Sequence, residues 1–414
     1  MNLTIHRGTN QIGGSCIEIA SDSTRILLDI GLPLDFSKVS DAEQQSVVAL
    51  AKTWCVGVDA IFISHYHQDH HGLLSVVQPE VPIFVTAGTE KMFKLNAVFM
   101  KPFVNAVDKL ILIEPARSNL LEVPVTIGDI KVTAFTVDHS AYDACAFLIE
   151  TESKRILYSG DLRLHGVKGI LYKQLPRDVD YLILEGTNIE KGKIVRTELE
   201  TRVELIELFK EDLSRLNFVW CSGQNIDRLV NIFSASRKMG KTMVVDVYVA
   251  AVLQEIHKLN DKIPSVESHG MRVLYTHGSD DDDQAEYYLR FNKQRIRPND
   301  ILQNPERFVV VIRPSMLRFL KMNLTVPKAN MITSLWKNYE ENEKEFFDWV
   351  DSNGYHRRHI HTSGHADRNS LVQIAEFINP GRIIPVHTEK KELFFYLFGE
   401  KTLLLEDEMP FIHF

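Results

Sequence analysis

Ser64-His65-Tyr66-His67-Gln68-Asp69-His70-His71-Gly72 follows the apolar run Ala60 to Ile63 and sets five potential metal ligands within seven residues. In an extended segment alternate side chains share a face, so His65 and His67 reach one metal. Asp69 and His70, where the chain turns, face a second. Imidazole and carboxylate without thiolate suit Zn²⁺, with Mn²⁺ or Fe as alternatives. His71 stands directly before the turn at Gly72 and is expected to be a bystander.

One loop does not complete a metal site, so further ligands are expected at comparable positions. Apolar strand-like runs end in polar groups at Ile26-Leu27-Leu28-Asp29, Ile61-Phe62-Ile63-Ser64-His65, Phe135-Thr136-Val137-Asp138-His139 and Ile156-Leu157-Tyr158-Ser159-Gly160-Asp161. The pattern repeats at Leu182-Ile183-Leu184-Glu185, Ile360-His361-Thr362-Ser363-Gly364-His365 and Ile383-Ile384-Pro385-Val386-His387. Functional groups of α/β proteins gather at strand ends, because buried strands fix the backbone while the loops beyond stay reachable.

The 414 residues are 44% hydrophobic and 25% charged, enough apolar material for two cores, which excludes a disordered tail, a collagen or a disulfide miniprotein. Lys plus Arg number 47 against 55 Asp plus Glu, a formal net charge of −8, so any nucleic acid must be gripped locally. Cys16, Cys55, Cys145 and Cys221 form no C-x-x-C pair and fit reduced thiols. The first residues lack an apolar signal region, and no apolar run nears the ~18 residues that span a bilayer. A soluble, cytoplasmic protein without membrane partners is expected.

Until about residue 195 the chain reads as short strands, among them Arg25 to Asp29 and Lys131 to Val137. From Thr197 the period changes to βα alternation: Glu198 to Leu213 helical, Asn217 to Cys221 a strand, Ile226 to Lys238 helical, Thr242 to Tyr248 a strand. It continues through Met271 to Tyr275, a helix near Gln284 to Phe291, Arg307 to Ile312 and Asn330 to Leu335, and ends near Gly354. A last strand, His359 to Thr362, precedes a helix at Asn369 to Ile378, stopped by Asn379-Pro380-Gly381. The acidic run Asp280 to Asp283 is taken as a solvated loop.

The ordered set Asp29, His65-x-His67-x-Asp69-His70, His139 and Asp161 resembles the metallo-β-lactamase superfamily. Thr362-Ser363-Gly364-His365-Ala366 followed by Ile384-Pro385-Val386-His387-Thr388-Glu389 is similar to its β-CASP branch, which includes ribonuclease J, and Gly13-Gly14-Ser15 resembles ribonuclease J-like openings. The resemblance implies an α/β fold, an αββα sandwich with an inserted parallel α/β domain. Residues 1–195 and 355–414 would form the sandwich and residues 196–354 the insertion. It implies two Zn²⁺ ions: His65, His67 and His139 on one, Asp69, His70 and His387 on the other, and Asp161 between them. A bridging hydroxide would attack phosphorus. Asp29 would orient ligands, and Glu185 would position His365, which would contact the scissile phosphate or protonate the leaving oxygen.

The expected activity is metal-dependent hydrolysis of RNA. His387 leans the substrate toward RNA, since the RNA-processing branch resembles this sequence in having histidine at that position, where the DNA-processing branch typically carries valine. Alternatives are a DNA nuclease, hydrolysis of a thioester, lactone or cyclic nucleotide, and a catalytically silent scaffold. Ser140, Ser363, Gly364, His365 and Ala366 are the expected substrate contacts, the backbone N–H groups of 363–367 opening a helix as an anion site. Arg290, Lys293, Arg295, Arg297, Arg357 and Arg358 are candidate backbone-tracking cations, and Arg163 and His165 either contact substrate or fold their loop. The additional C-terminal domain that ribonuclease J-like proteins use in assembly is not expected, since 27 residues follow His387 (414 − 387). The oligomeric state stays open, a homodimer included.

Overall fold

Leu28 lies opposite Phe62 in a parallel pair, and Glu185 opposite Val386 in another, so the residues that follow these apolar runs emerge side by side. The computed structural model describes residues 2–100, 110–116, 123–192, 196–278 and 282–412. Among them, two compact units are present: residues 1–194 with 364–414, and residues 195–363.

In the first unit, strands β1 (Asn2–Arg7), β2 (Cys16–Ala20), β3 (Arg25–Leu28), β4 (Ala60–Phe62), β5 (Ile83–Val85) and β6 (Leu110–Leu112) are neighbours in chain order. The late strand β20 (Pro410–Ile412) joins the edge at β1. Pairing is antiparallel from β1 to β3 and parallel from β3 to β6. The second sheet runs β19 (Arg382–Val386), β11 (Tyr181–Glu185), β10 (Arg155–Tyr158), β9 (Cys145–Glu150), β8 (Ile130–Thr136) and β7 (Val125–Ile127). Pro385 lacks an N–H, and the edge position of β19 tolerates it.

The inner faces share one core, including Leu28, Phe62, Phe147, Tyr158, Ile183 and Ile384, with Phe62 of one sheet 5.8 Å from Phe147 of the other. With helices at Asp41–Trp54, Ala87–Met100 and Arg368–Ile378, this is the expected two-sheet α/β sandwich. β10, β11 and β19 are mutually parallel, and β8 points the same way because both β8 and β10 run antiparallel to β9. His139, Asp161, Glu185 and His387 therefore leave one end of the sheet together. That is the physical content of the repeated strand-end pattern.

The second unit holds one parallel sheet in the order β15 (Arg295–Ile296), β14 (Met271–Leu274), β13 (Thr242–Asp246), β16 (Phe308–Ile312), β12 (Leu216–Trp220), β17 (Ala329–Thr333) and β18 (His356–His359). Two expectations change here. The strand from Thr242 ends at Asp246, whose carboxylate accepts the Val249 N–H at 2.9 Å and caps a helix, Val247–His257. The last strand lies at His356–His359 instead of His359 to Thr362, pairs with β17, and so keeps residues 355–363 in the inserted unit. Helices at Asp41–Trp54 and Ala87–Met100 also interrupt a segment read as almost wholly strand. Asp282 and Asp283 open a helix, Asp282–Arg290, while Asp280 and Asp281 lie outside the described residues.

Candidate metal centre

Asp29 leaves β3 with φ of +60°, a left-handed conformation that an aspartate adopts only where its surroundings hold it. Its carboxylate is fully buried and accepts the Ser64 N–H (2.7 Å), the Ser64 hydroxyl (2.8 Å), the Tyr158 hydroxyl (2.7 Å) and His70 Nδ1–H (2.7 Å). Four donors fix this group, and it in turn fixes the His70 ring with Nε2 facing away. The turn Gln68–His71 is clasped by the Ile30 N–H on the His70 carbonyl (2.9 Å) and the Ser15 N–H on the Asp69 carbonyl (3.0 Å). Gly31 permits this approach, since a Cβ there would stand 1.8 Å from the Asp69 carbonyl oxygen.

Two groups of donors result. His65 Nε2 and His139 Nε2 each lie 3.1 Å from His67 Nδ1. Beside them, His70 Nε2 is 3.1 Å from Asp161 Oδ2 and His387 Nε2 is 3.2 Å from Asp69 Oδ2. Asp161 Oδ2 also lies 3.8 Å from His65 Nε2 and 3.9 Å from His139 Nε2, so one carboxylate faces both groups. Ligand atoms within each group, His65/His67/His139 and Asp69/His70/Asp161/His387, all lie within 4.8 Å of one another.

The electrostatics fit cations. Burial and the neighbouring rings push His65 and His139 well below the ordinary histidine value and His67 to about 4, which leaves lone pairs converging on one point. Burial alone would lower His70, but Asp161, Asp29 and Asp69 surround it and hold it well above its usual value. Asp161, whose burial alone would raise it, is held far below the carboxylate range by His387, His70 and His365. Its Oδ1 is buried and has no hydrogen-bond partner among the described residues. An orphaned carboxylate oxygen among imidazole nitrogens is the donor set of a divalent metal site.

Second contacts orient the ligands. The Gly364 carbonyl accepts from His139 Nδ1–H at 2.6 Å, which turns His139 Nε2 inward. A Cβ at Gly364 would stand 2.7 Å from the Ser140 hydroxyl. Asp138, just before His139, pairs with buried Arg163, just after Asp161, at 2.8 Å. Arg163 thus ties down its own loop. His71 faces away, 3.1 Å from the Tyr66 carbonyl and against Phe93.

His365 lies at the rim, 21% exposed, its Nδ1 3.4 Å from Glu185 Oε1 and 3.6 Å from Asp161 Oδ2. Burial alone would lower it, but Asp161 and Glu185 outweigh that and hold it up at about 9. Of the N–H groups expected to receive an anion in this loop, that of Ala366 is engaged within the protein. The Ala366 N–H donates to the Leu162 carbonyl (2.7 Å), and the following helix is capped by Asp367, whose carboxylate accepts the Ser370 N–H (2.8 Å). A helix end that carries its own carboxylate repels an anion. Ser140 lies beside His139, its hydroxyl 3.5 Å from Nε2, whereas Ser363 belongs to the inserted unit.

Several candidate cations are paired at home: Arg290 with Glu286 (2.7 Å), Arg357 with Asp351 (3.4 Å) and Arg358 with Glu211 (3.6 Å). Arg295 lies over the Tyr275 ring. Sequence reading missed Tyr158 and Thr187; Tyr158 was visible only as the inward residue of an apolar run, and Thr187 carried no signal. All four cysteines are free and buried. Among the described residues no helix is long and apolar enough to cross a membrane.

Residues 24–213 match a model described as the beta-lactamase superfamily domain, and residues 355–394 one described as the Zn-dependent metallo-hydrolase RNA specificity domain. The chain is 25% identical over 447 residues to an RNase J-like protein of Methanocaldococcus jannaschii, covering 99% of this chain and 97% of the relative. It is 22% identical over 361 residues to ribonuclease J of Sinorhizobium meliloti, covering 81% of this chain and 58% of that one. A crystal structure of a protein of unknown function from Enterococcus faecalis V583 shares the fold, with a TM-score of 0.78, 22% identity and 99% of both chains covered.

Proposed function

We propose that this chain, a member of the ribonuclease J-like β-CASP branch of the metallo-β-lactamase superfamily, hydrolyses RNA phosphodiesters at a centre of two Zn²⁺ ions. The observation that carries the reading is the single carboxylate of Asp161 facing two adjoining donor groups. His65, His67 and His139 would hold one ion, Asp69, His70 and His387 the other, with Asp161 shared. When bound, such ions supply an activated water near neutral pH and Lewis-acid stabilisation of charge on the phosphoryl oxygens.

The chain's own groups do the rest. Asp29 holds the His70 ring through the 2.7 Å bond to Nδ1. Glu185 and Asp161 keep a proton on His365, whose partial exposure lets it meet a phosphate and hand that proton to the departing oxygen. The RNA assignment is supported by the match of 355–394, which contains both His365 and His387, to an RNA specificity model.

Metal-loaded protein should be given labelled RNA, matched DNA and a generic phosphodiester, and the rates and product lengths compared. RNA cleaved at least tenfold faster than the other two is the expected result. Preference for DNA would transfer the assignment to a DNA nuclease, and turnover of the small diester alone would make the chain a small-substrate hydrolase.

A further inference from the structure

Thr187 lies two residues beyond the end of β11, and its hydroxyl stands between His365 and His387. Oγ1 is 2.8 Å from His387 Nδ1, 3.1 Å from His365 Nδ1 and 3.4 Å from the His387 carbonyl oxygen. The Thr187 backbone N–H donates to Glu185 Oε2 at 2.8 Å, and Glu185 Oε1 accepts the Ala366 N–H at 3.3 Å, so the Thr187 backbone is held by the same carboxylate that faces His365.

A hydroxyl offers one hydrogen and two lone pairs. For all three contacts to be hydrogen bonds the one Thr187 hydrogen goes to the His387 carbonyl oxygen, which only accepts. Both remaining contacts must then be made by lone pairs, which requires a hydrogen on His387 Nδ1 and on His365 Nδ1. For His387 that leaves Nε2, 3.2 Å from Asp69 Oδ2, as the nitrogen with a free lone pair toward the donor group. For His365 it turns Nδ1 inward and leaves Nε2 for whatever approaches the rim. His387 itself has φ of +51°, in the left-handed region.

We infer that Thr187 is a positioning residue that sets the tautomer of His387 for metal ligation and aligns His365 from the same oxygen. The inference rests on the roles given to His387 and His365 above, and binding of a metal ion without any RNA tests it separately from nuclease activity.

Thr187→Val keeps the shape and removes the hydroxyl, whereas Thr187→Ser keeps the hydroxyl and removes a methyl. Zn²⁺ affinity is read by competition with a chelating dye, cleavage by kcat and KM, and folding by thermal melting. The valine variant is expected to melt within a few degrees of wild type, to bind the weaker Zn²⁺ equivalent about 10- to 100-fold less tightly, and to lose kcat with KM nearly unchanged. The serine variant is expected to recover most of both. Wild-type Zn²⁺ affinity in Thr187→Val would overturn the inference. So would an equal loss in Thr187→Ser, since packing rather than the hydroxyl would then be responsible. Intact metal binding with no cleavage of any substrate by wild type would instead strike at the proposed activity.

Discussion

Asp138 and Arg163 form an ion pair 2.8 Å apart with neither side chain exposed to solvent. The pair ties the backbone before His139 to the backbone after Asp161, and the Arg163 N–H adds a 2.7 Å bond to the Asp138 carbonyl. Two segments that supply ligands are thereby held in register by a contact that touches no ligand.

Breaking one side of such a pair leaves a buried charge alone. Arg163→Met is expected to destabilise the fold by about 3–5 kcal/mol, and Asp138→Leu by a similar amount. The double variant should recover much of the loss, because no isolated charge remains. Denaturant unfolding of the singles and the double measures this coupling.

Asp69→Asn combined with His70→Ala removes two of the four donors in one group. Turnover of every substrate is expected to vanish, with metal content falling by about one equivalent by elemental analysis. Wild-type rates in this double variant would defeat the metal mechanism.

His365→Ala is expected to slow RNA cleavage by about 10²–10⁴-fold while bound metal stays unchanged. Loss of metal would make His365 a ligand, a role its 3.6 Å approach to Asp161 permits.

Tyr158→Phe withdraws one of the four donors on the buried Asp29 carboxylate. A loss of about 1.5–3 kcal/mol is expected from a hydrogen bond to a buried charged group, measured by urea unfolding. Activity should fall less than in Asp29→Ala, since three donors still orient the carboxylate.

Glu18 provides a pH-dependent contribution away from the site. Burial alone would raise its carboxyl, but hydrogen bonds from His6 (2.8 Å) and Arg25 outweigh this and hold it at about 2. A depressed folded-state value means the stabilisation is complete above the unfolded value of 4.5 and is lost as pH falls toward 2. The melting temperature should drop across that interval in wild type and drop less in Glu18→Gln.

The residues that cluster were legible because their pattern is local: an apolar run, then a His, Asp or Glu, repeated where parallel strands end. Asp29, His65, His139, Asp161, Glu185 and His387 needed no knowledge of distant partners. Thr187 and Tyr158 were not legible, since their meaning lies in partners 200 and 129 positions away. The Asp138–Arg163 pair is of the same kind. Val247–His257 was misread at its start because β-branched residues dominate Val244 to Val249, and a fully buried helix shows no polar face to reveal its period. The Asp367 cap is readable in principle, as an aspartate just ahead of an amphipathic run.

β19 joins β11 across the whole insertion, Val386 pairing with Glu185, 201 positions apart (386 − 185). A growing polypeptide therefore displays the His65–Asp69 loop for roughly 16–64 s of synthesis at about 5–20 residues per second, since 318 residues (387 − 69) separate Asp69 from His387. The strand end that carries His387 is among the last parts of the site to be made, and a product cut short within the insertion lacks both His365 and His387.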